Sequence, residues 1–215
     1  MITYKTYIFD LDGTLLDTLG DLAVSVNYAL RTHGLPEHSI DDVRRFVGNG
    51  VRKLMERAVP AGADNPLFED TLATFRQHYM EHSLDTTRPY EGVPETLAAL
   101  KAQGCRLAVV SNKMMAATQA LCSHFFPETI EVAIGEDEAA GIRKKPAPDT
   151  VFTALKTLGV GKENAVYVGD SDVDILTALN SGIPCISVLW GFRDRDFLQQ
   201  NGAETFISAP EELLP

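Results

Sequence analysis

The pattern of apolar runs and turns predicts an α/β protein: a Rossmann-like, doubly wound parallel sheet with an all-helical domain inserted near its start. From Tyr90 onward, short β-branched and aromatic runs alternate with amphipathic helical stretches, the order expected of β–α units and a parallel sheet. Between Asp17 and Pro89 no strand candidate appears, and one helical period follows another. The first strand candidate, Tyr7-Ile8-Phe9, precedes that helical stretch and is separated by it from all the others. The expected domains are therefore a sheet domain of residues 1–16 and 90–215 and a helical domain of residues 17–89. A helical block inserted straight after a strand is expected to cap the end of that strand.

Local chemistry supports each element in turn. Leu22, Val26 and Leu30 recur at helical spacing after Gly20-Asp21, and His33-Gly34 ends the run. Asp41-Asp42 is a helix start that leads through Val43 and Phe46. Val47-Gly48-Asn49-Gly50 interrupts that helix, and Val51, Leu54, Met55 and Ala58 resume the period. Pro60 to Pro66 reads as a turn-rich link, and Phe68, Leu72, Phe75 and Tyr79 as a further helix that stops near Ser83. Gly92-Val93-Pro94 introduces a helix over Glu95–Gln103 that Gly104 closes. The strand Arg106–Val110 then runs into Ser111-Asn112-Lys113, and a helix through Met115 and Leu121 follows. A strand over Ile130–Ile134, a loop from Gly135 to Pro148 and a helix over Thr150–Leu158 come next. The strands Ala165–Val168 and Cys185–Val188, with a helix over Ile175–Leu179 between them, complete the alternation.

Composition narrows the function classes. Hydrophobic content of 45% and charged content of 23% are ordinary for a folded domain. No apolar run approaches the ~20 residues a membrane helix needs, and the N-terminus lacks the basic and apolar regions of a signal peptide. Three cysteines (Cys105, Cys122 and Cys185) without C-x-x-C spacing fit reduced, mostly buried thiols. These features make the cytoplasm the expected location. A net charge of −11 argues against nucleic acid, whose phosphate backbone needs a basic face. It leaves room for a small phosphorylated substrate, because a metal and one or two lysines make a site locally positive.

Four segments carry chemistry. Asp10 and Asp12 lie two apart where the first strand runs out, so their carboxylates share a face and repel unless a cation or a shared proton compensates. A hard divalent ion such as Mg²⁺ suits such an oxygen-rich place. Thr14 adds a hydroxyl, and Gly13 lets backbone N–H groups turn toward an anion. Ser111-Asn112 offers a hydroxyl and N–H groups at the end of a second strand. In Lys144-Lys145-Pro146-Ala147-Pro148 the prolines stiffen the backbone and give the preceding lysine a defined direction. In Gly169-Asp170-Ser171-Asp172-Val173-Asp174 the first carboxylate sits at a strand end, and Asp174 returns to the same place one helical turn on.

Asp10-Leu11-Asp12-Gly13-Thr14-Leu15, Ser111-Asn112, Lys145-Pro146-Ala147-Pro148 and Gly169-Asp170-Ser171-Asp172-Val173-Asp174, in this order at successive strand ends, resemble the four motifs of the haloacid dehalogenase superfamily. The similarity runs nearly end to end, and its nearest flavour is the phosphoglycolate phosphatase branch. The resemblance implies a Mg²⁺-dependent phosphatase of the phosphoric monoester hydrolase class, with a cap domain over a Rossmann-like core. It implies Asp10 as nucleophile, Asp12 as general acid/base and Lys145 as catalytic lysine. It implies metal ligation by Asp10, Asp12 through its backbone carbonyl and Asp170, with Asp174 outside the shell helping to orient waters or Lys145. Thr14, Ser111 and Asn112 would hold phosphoryl oxygens. In the helical domain, Val47-Gly48-Asn49-Gly50-Val51-Arg52 exposes N–H groups at a helix start, which favours an anion. The match to the branch's cap loop makes Gly48, Asn49, Gly50 and Arg52 candidate contacts for the carboxylate of 2-phosphoglycolate. Trp190 and Phe192, near the end, read as packing. A sugar-phosphate mutase, a pyrophosphatase or a catalytically idle binding protein would share the same core. The expected partner is a small phosphorylated substrate, with no nucleic acid and no membrane, and the assembly a monomer or homodimer.

Overall fold

The computed structural model describes residues 4–137 and 141–215, so residues 138–140 of the loop expected between Gly135 and Pro148 lie outside the described residues. The chain forms two compact units, one of Met1–Leu16 with Pro89–Pro215 and one of Asp17–Arg88. β1 (Thr6–Phe9) begins the first unit. β2 (Leu16–Asp17) and β3 (Arg88–Pro89) pair as a two-stranded ribbon where the chain passes from one unit to the other and back.

The main sheet adds β4 (Arg106–Met114), β5 (Val132–Glu136), β6 (Ala165–Gly169), β7 (Cys185–Val188) and β8 (Phe206–Ile207). Its strand order is β5-β4-β1-β6-β7-β8, and neighbouring strands pair in parallel. β1 is therefore central, with β4 on one side and β6 on the other. The winding direction reverses at β1, which opens a crevice outside the C-terminal ends of these three strands. Phe9 stands opposite both Val109 and Val168, so the residues that follow each strand emerge at one level.

Side chains alternate across the sheet with the strand period of two. Tyr7, Phe9, Leu107, Val109, Val166 and Val168 pack into one core, and Ile8, Ala108, Val110, Ala165 and Tyr167 into another on the opposite face. Burial on both faces explains why these strands read as continuous apolar runs. Besides β2 and β3, at the ends of the stretch read as all-helical, two small elements have no forerunner in the sequence pattern. β8 is only two residues long, and the helix Arg195–Gln200 is under two turns, too short for a period to show. β5 starts at Val132 rather than Ile130, because Thr129 and Ile130 donate their N–H groups to the Phe126 carbonyl and continue a turn.

The second unit consists of α1 (Leu19–Thr32), α2 (Ile40–Phe46), α3 (Val51–Ala58) and α4 (Phe68–His82). Leu22, Val26, Leu30, Val43, Leu54, Met55, Leu72, Phe75 and Tyr79 are buried, and these are the positions that set the helical periods. Ser39 caps α2 reciprocally with Asp42, one step before the expected start. Asp21, in the first turn of α1, is buried, and its carboxylate accepts hydrogen bonds from both N–H groups and both hydroxyls of Thr86 and Thr87 at 2.6–2.9 Å. A buried carboxylate needs such donors. Here they fasten the beginning of the unit to its end. None of the helices is long and apolar enough to cross a membrane, among the described residues.

Candidate active site

Asp10 is the first residue beyond β1, and its N–H donates to the Val168 carbonyl at 2.9 Å. One carboxylate oxygen, Oδ1, accepts from the Leu11 N–H at 2.7 Å and pairs with the Lys145 ammonium at 2.8 Å. No described group hydrogen-bonds to the other oxygen. Lys145 reaches this point from the loop before α7 (Asp149–Leu158), counting α5 (Val93–Ala102) and α6 (Met115–Phe125) ahead of it. Lys145 is 3% exposed and also meets Asp174 Oδ1 at 2.7 Å and the Tyr167 hydroxyl at 3.1 Å. Tyr167 in turn lies 3.1 Å from the same Asp174 oxygen. Tyr167 belongs to a strand read as pure core; only its hydroxyl at a strand end marks it as part of the site.

β4 carries the second group, and it is longer than expected. Between Val110 and Met114 it advances four residues while β5 advances two, from Ile134 to Glu136. This bulge ends the strict alternation of sides. Ser111, Asn112 and Lys113 are consequently all buried, three in a row. Ser111 Oγ accepts the Lys113 N–H at 3.2 Å. Asn112 turns its side-chain amide to the backbone of Lys145, accepting its N–H at 2.7 Å and donating to its carbonyl at 3.0 Å. Both ends of that amide are engaged, so Asn112 braces Lys145. Lys113 lies side-on to the Asp12 carboxylate, at 3.0 and 3.1 Å from its two oxygens. The expected Asp10–Asp12 pair thus has one lysine for each carboxylate.

The third group follows β6. Asp174 is fully buried in the first turn of α8 (Asp172–Ser181), where its Oδ2 accepts from the Ser171 N–H at 3.1 Å and the Ser171 hydroxyl at 2.6 Å. It closes a capping box with one oxygen and holds Lys145 with the other. Asp170 accepts the Thr14 hydroxyl at 3.3 Å on one oxygen and the Phe192 N–H at 2.7 Å on the other. The Trp190 indole N–H donates to the Thr14 carbonyl at 3.0 Å. The stretch around Trp190 and Phe192 therefore supports the site directly, beyond the packing role expected of it. Gly191 could have signalled this: a Cβ there would overlap Asp170 and the Gly13 carbonyl. Gly13 itself has φ +87°, and a Cβ on it would overlap the Asp170 carboxylate.

Asp10, Asp170 and Asp174 each offer a carboxylate oxygen within 4.8 Å of the others. Burial first, and then Asp174, hold the Asp10 carboxyl well above the usual carboxylate range against the pull of Lys145. The same two causes push Asp170 up to about 7. Burial alone would lower Lys145, but Asp10 and Asp174 outweigh it and raise the ammonium further. Counting Asp12 and Lys113, four carboxyl groups accompany two buried ammonium groups, so oxygen donors outnumber positive charges. An all-oxygen carboxylate set of this kind fits a divalent hard cation. Asp10, with one oxygen open, and Asp170, whose two oxygens meet the neutral Thr14 hydroxyl and Phe192 N–H, are its fitting carboxylate ligands, whereas Asp174 is ion-paired with Lys145 and capped by Ser171. The Asp12 side chain belongs to Lys113, so Asp12 would contribute only its backbone carbonyl. Asp170→Asn should therefore raise the Mg²⁺ concentration for half-maximal activity, measured by titration; an unchanged midpoint would remove Asp170 from the ligand set.

In the helical unit, the Gly48-Asn49-Gly50 loop has three successive positive φ values, 112°, 64° and 85°, immediately before α3. Arg57 fixes it: the guanidinium donates to the Phe46 carbonyl at 2.7 Å, the Gly48 carbonyl at 3.4 Å and Asn49 Oδ1 at 3.1 Å. Arg52, a candidate contact for the substrate carboxylate, donates to both oxygens of Glu69 at 3.2 and 2.6 Å and lies over the Phe68 ring. Arg57 is more than one turn further along α3 and folds back over the loop.

These features, a central strand ending in two aspartates, an aspartate loop after its neighbour β6 and a lysine loop after β5, are those of a hydrolase site on a doubly wound sheet. A profile of the haloacid dehalogenase-like hydrolases matches residues 7–188, and the chain belongs to that family. Within it the chain falls in the phosphoglycolate phosphatase-like branch of phosphoric monoester hydrolases. It is 36% identical to a phosphoglycolate phosphatase of Aquifex aeolicus, over 98% of this chain and 95% of that one. It is 32% identical to an N-acetylmuramic acid 6-phosphate phosphatase of Pseudomonas aeruginosa, over 98% and 93% of the two chains. The crystal structure of a candidate phosphoglycolate phosphatase from Lactobacillus delbrueckii subsp. bulgaricus superposes with a TM-score of 0.93 at 36% identity, covering 98% and 97%.

Proposed function

We propose that the protein is a Mg²⁺-dependent phosphatase of a small phosphorylated acid, with 2-phosphoglycolate as the leading substrate and an aspartyl-phosphate on Asp10 as the intermediate. The observation that carries this reading is the asymmetry of Asp10: Leu11 and Lys145 hold one oxygen, and the other is open. In this reading the open oxygen forms a bond to phosphorus as the ester P–O bond breaks, and Asp12 delivers a proton to the departing alkoxide. Asp12 then takes a proton from the water that cleaves the acyl phosphate. Lys145, braced by Asn112 and Asp174, offsets charge on the equatorial phosphoryl oxygens, and Ser111 and Thr14 would hold the same oxygens. When bound, Mg²⁺ supplies further neutralisation of those oxygens.

The helical unit serves as the cap in this reading, and substrate choice lies there, because the sheet-unit motifs address only the phosphoryl group. Both kinds of relative act, by name, on phosphorylated acids, which supports a carboxylate as the feature to be recognised. N-acetylmuramic acid 6-phosphate is the second candidate for that reason. The deciding experiment measures Mg²⁺-dependent phosphate release from 2-phosphoglycolate, N-acetylmuramic acid 6-phosphate and an aryl phosphate. Release from none of them would refute the phosphatase reading and favour an idle binding protein. Gly50→Pro tests the loop, since Gly50 sits at φ +85° and proline requires about −65°. The expected result is a far larger loss on 2-phosphoglycolate than on the aryl phosphate. Equal losses in a folded variant would leave the loop no part in specificity.

A further inference from the structure

We propose that Lys113 is a positioning residue for the reaction and acts through Asp12. This rests on the phosphatase reading above, in which Asp12 serves first the leaving group and then water. Lys113 is 5% exposed, and its ammonium contacts both oxygens of a carboxylate one hundred and one residues earlier in the chain. Burying an ammonium is unfavourable without a carboxylate to meet it. Asp12 lies two residues beyond Asp10, and its carboxylate has Lys113 as its ammonium partner.

The β4 bulge meets that need. It turns Lys113 inward together with Ser111 and Asn112, where an unbroken strand would send one of them to the opposite face. Asn112 then braces the lysine that pairs with Asp10, and Lys113 itself holds the other motif aspartate. An ammonium in contact with both oxygens sets the direction in which the Asp12 carboxylate projects. Lys113 gives up no proton: the proton passes from Asp12 to the alkoxide and returns to Asp12 from water. Lys113 sets where that exchange takes place.

A double-mutant cycle on the full chain with Mg²⁺ tests this, using p-nitrophenyl phosphate, whose leaving group needs little protonation, and 2-phosphoglycolate. Lys113→Met should lower kcat on 2-phosphoglycolate at least ~10-fold more than on the aryl phosphate, with KM within about twofold. In an Asp12→Ala background the same change should cost no more than about twofold, and Lys113→Arg should restore part of the loss. Independent, additive losses, or a raised KM with unchanged kcat, would make Lys113 a substrate contact and overturn the proposal. The crystal structure of Lys113→Met supplies a readout that does not need turnover. Asp12 should leave its position while Asp10, Lys145 and Asp174 stay; an unmoved Asp12 overturns the proposal. If the wild-type enzyme hydrolyses neither substrate, the phosphatase reading fails, and this structural arm alone decides the proposal.

Discussion

Asp10→Asn should reduce turnover by at least ~10³, or roughly 4 kcal/mol of barrier. The amide has the shape of the carboxylate and still reaches the Leu11 N–H at the strand end, so the fold is expected to persist. What it lacks is a negatively charged oxygen to attack phosphorus. The loss should be similar for aryl and alkyl phosphates, because the nucleophile is needed whatever the leaving group. Single-turnover trapping with labelled phosphate checks the assignment: label should appear on Asp10 in the wild type and on nothing in the variant. Label on another residue of the wild type would show the nucleophile to be elsewhere.

Lys145→Met is expected to reduce both turnover and stability. Its ammonium lies 2.8 Å from Asp10 and 2.7 Å from Asp174, all three buried. Removing one partner of such a cluster leaves uncompensated charge, at a cost of ~3–5 kcal/mol in buried pairs. Proton uptake by the carboxylates offsets part of that, because Asp10 and Asp170 already hold protons more tightly than ordinary carboxylates. Urea denaturation should thus show a loss at neutral pH that saturating Mg²⁺ partly restores, as a ligand that binds only the folded state does. Turnover should fall by ~10² or more, since a charged donor to the phosphoryl oxygens is lost. A variant as stable as the wild type, with more than a tenth of its activity, would show Lys145 to be dispensable.

Lys145 also shows what the chain's linear pattern conveys and what it conceals. That Lys145 takes a defined direction was legible from the prolines on either side of Ala147, which restrict the backbone after it; that it is buried is shown by the structure. That Asn112 grips its N–H and carbonyl was not legible, because the two are thirty-three residues apart and meet only when β4 and the loop fold together. Asn112 was consequently expected at the substrate, a reasonable place for an amide after a strand. Arg52 was expected as a contact for the substrate carboxylate; the structure adds that it pairs with Glu69 and that Arg57 braces the glycine loop.

The sheet, its parallel pairing and the aspartates at its strand ends were determined by the sequence, because strand burial on both faces and the β–α order are local, periodic signals. Asp10, Asp12, Asp170 and Asp174 were legible for the same reason: each sits at a fixed offset from an apolar strand. The partners of those carboxylates became known only from the tertiary structure. The Lys113–Asp12 contact depends on a two-residue bulge in β4, the Tyr167 hydroxyl on a position indistinguishable from core, and the Phe192 N–H on a backbone that must come close past Gly191. Bulges, hydroxyls at the end of buried rings and backbone donors leave no period in a sequence. They are decided by which strands lie side by side, and so by packing across the whole sheet.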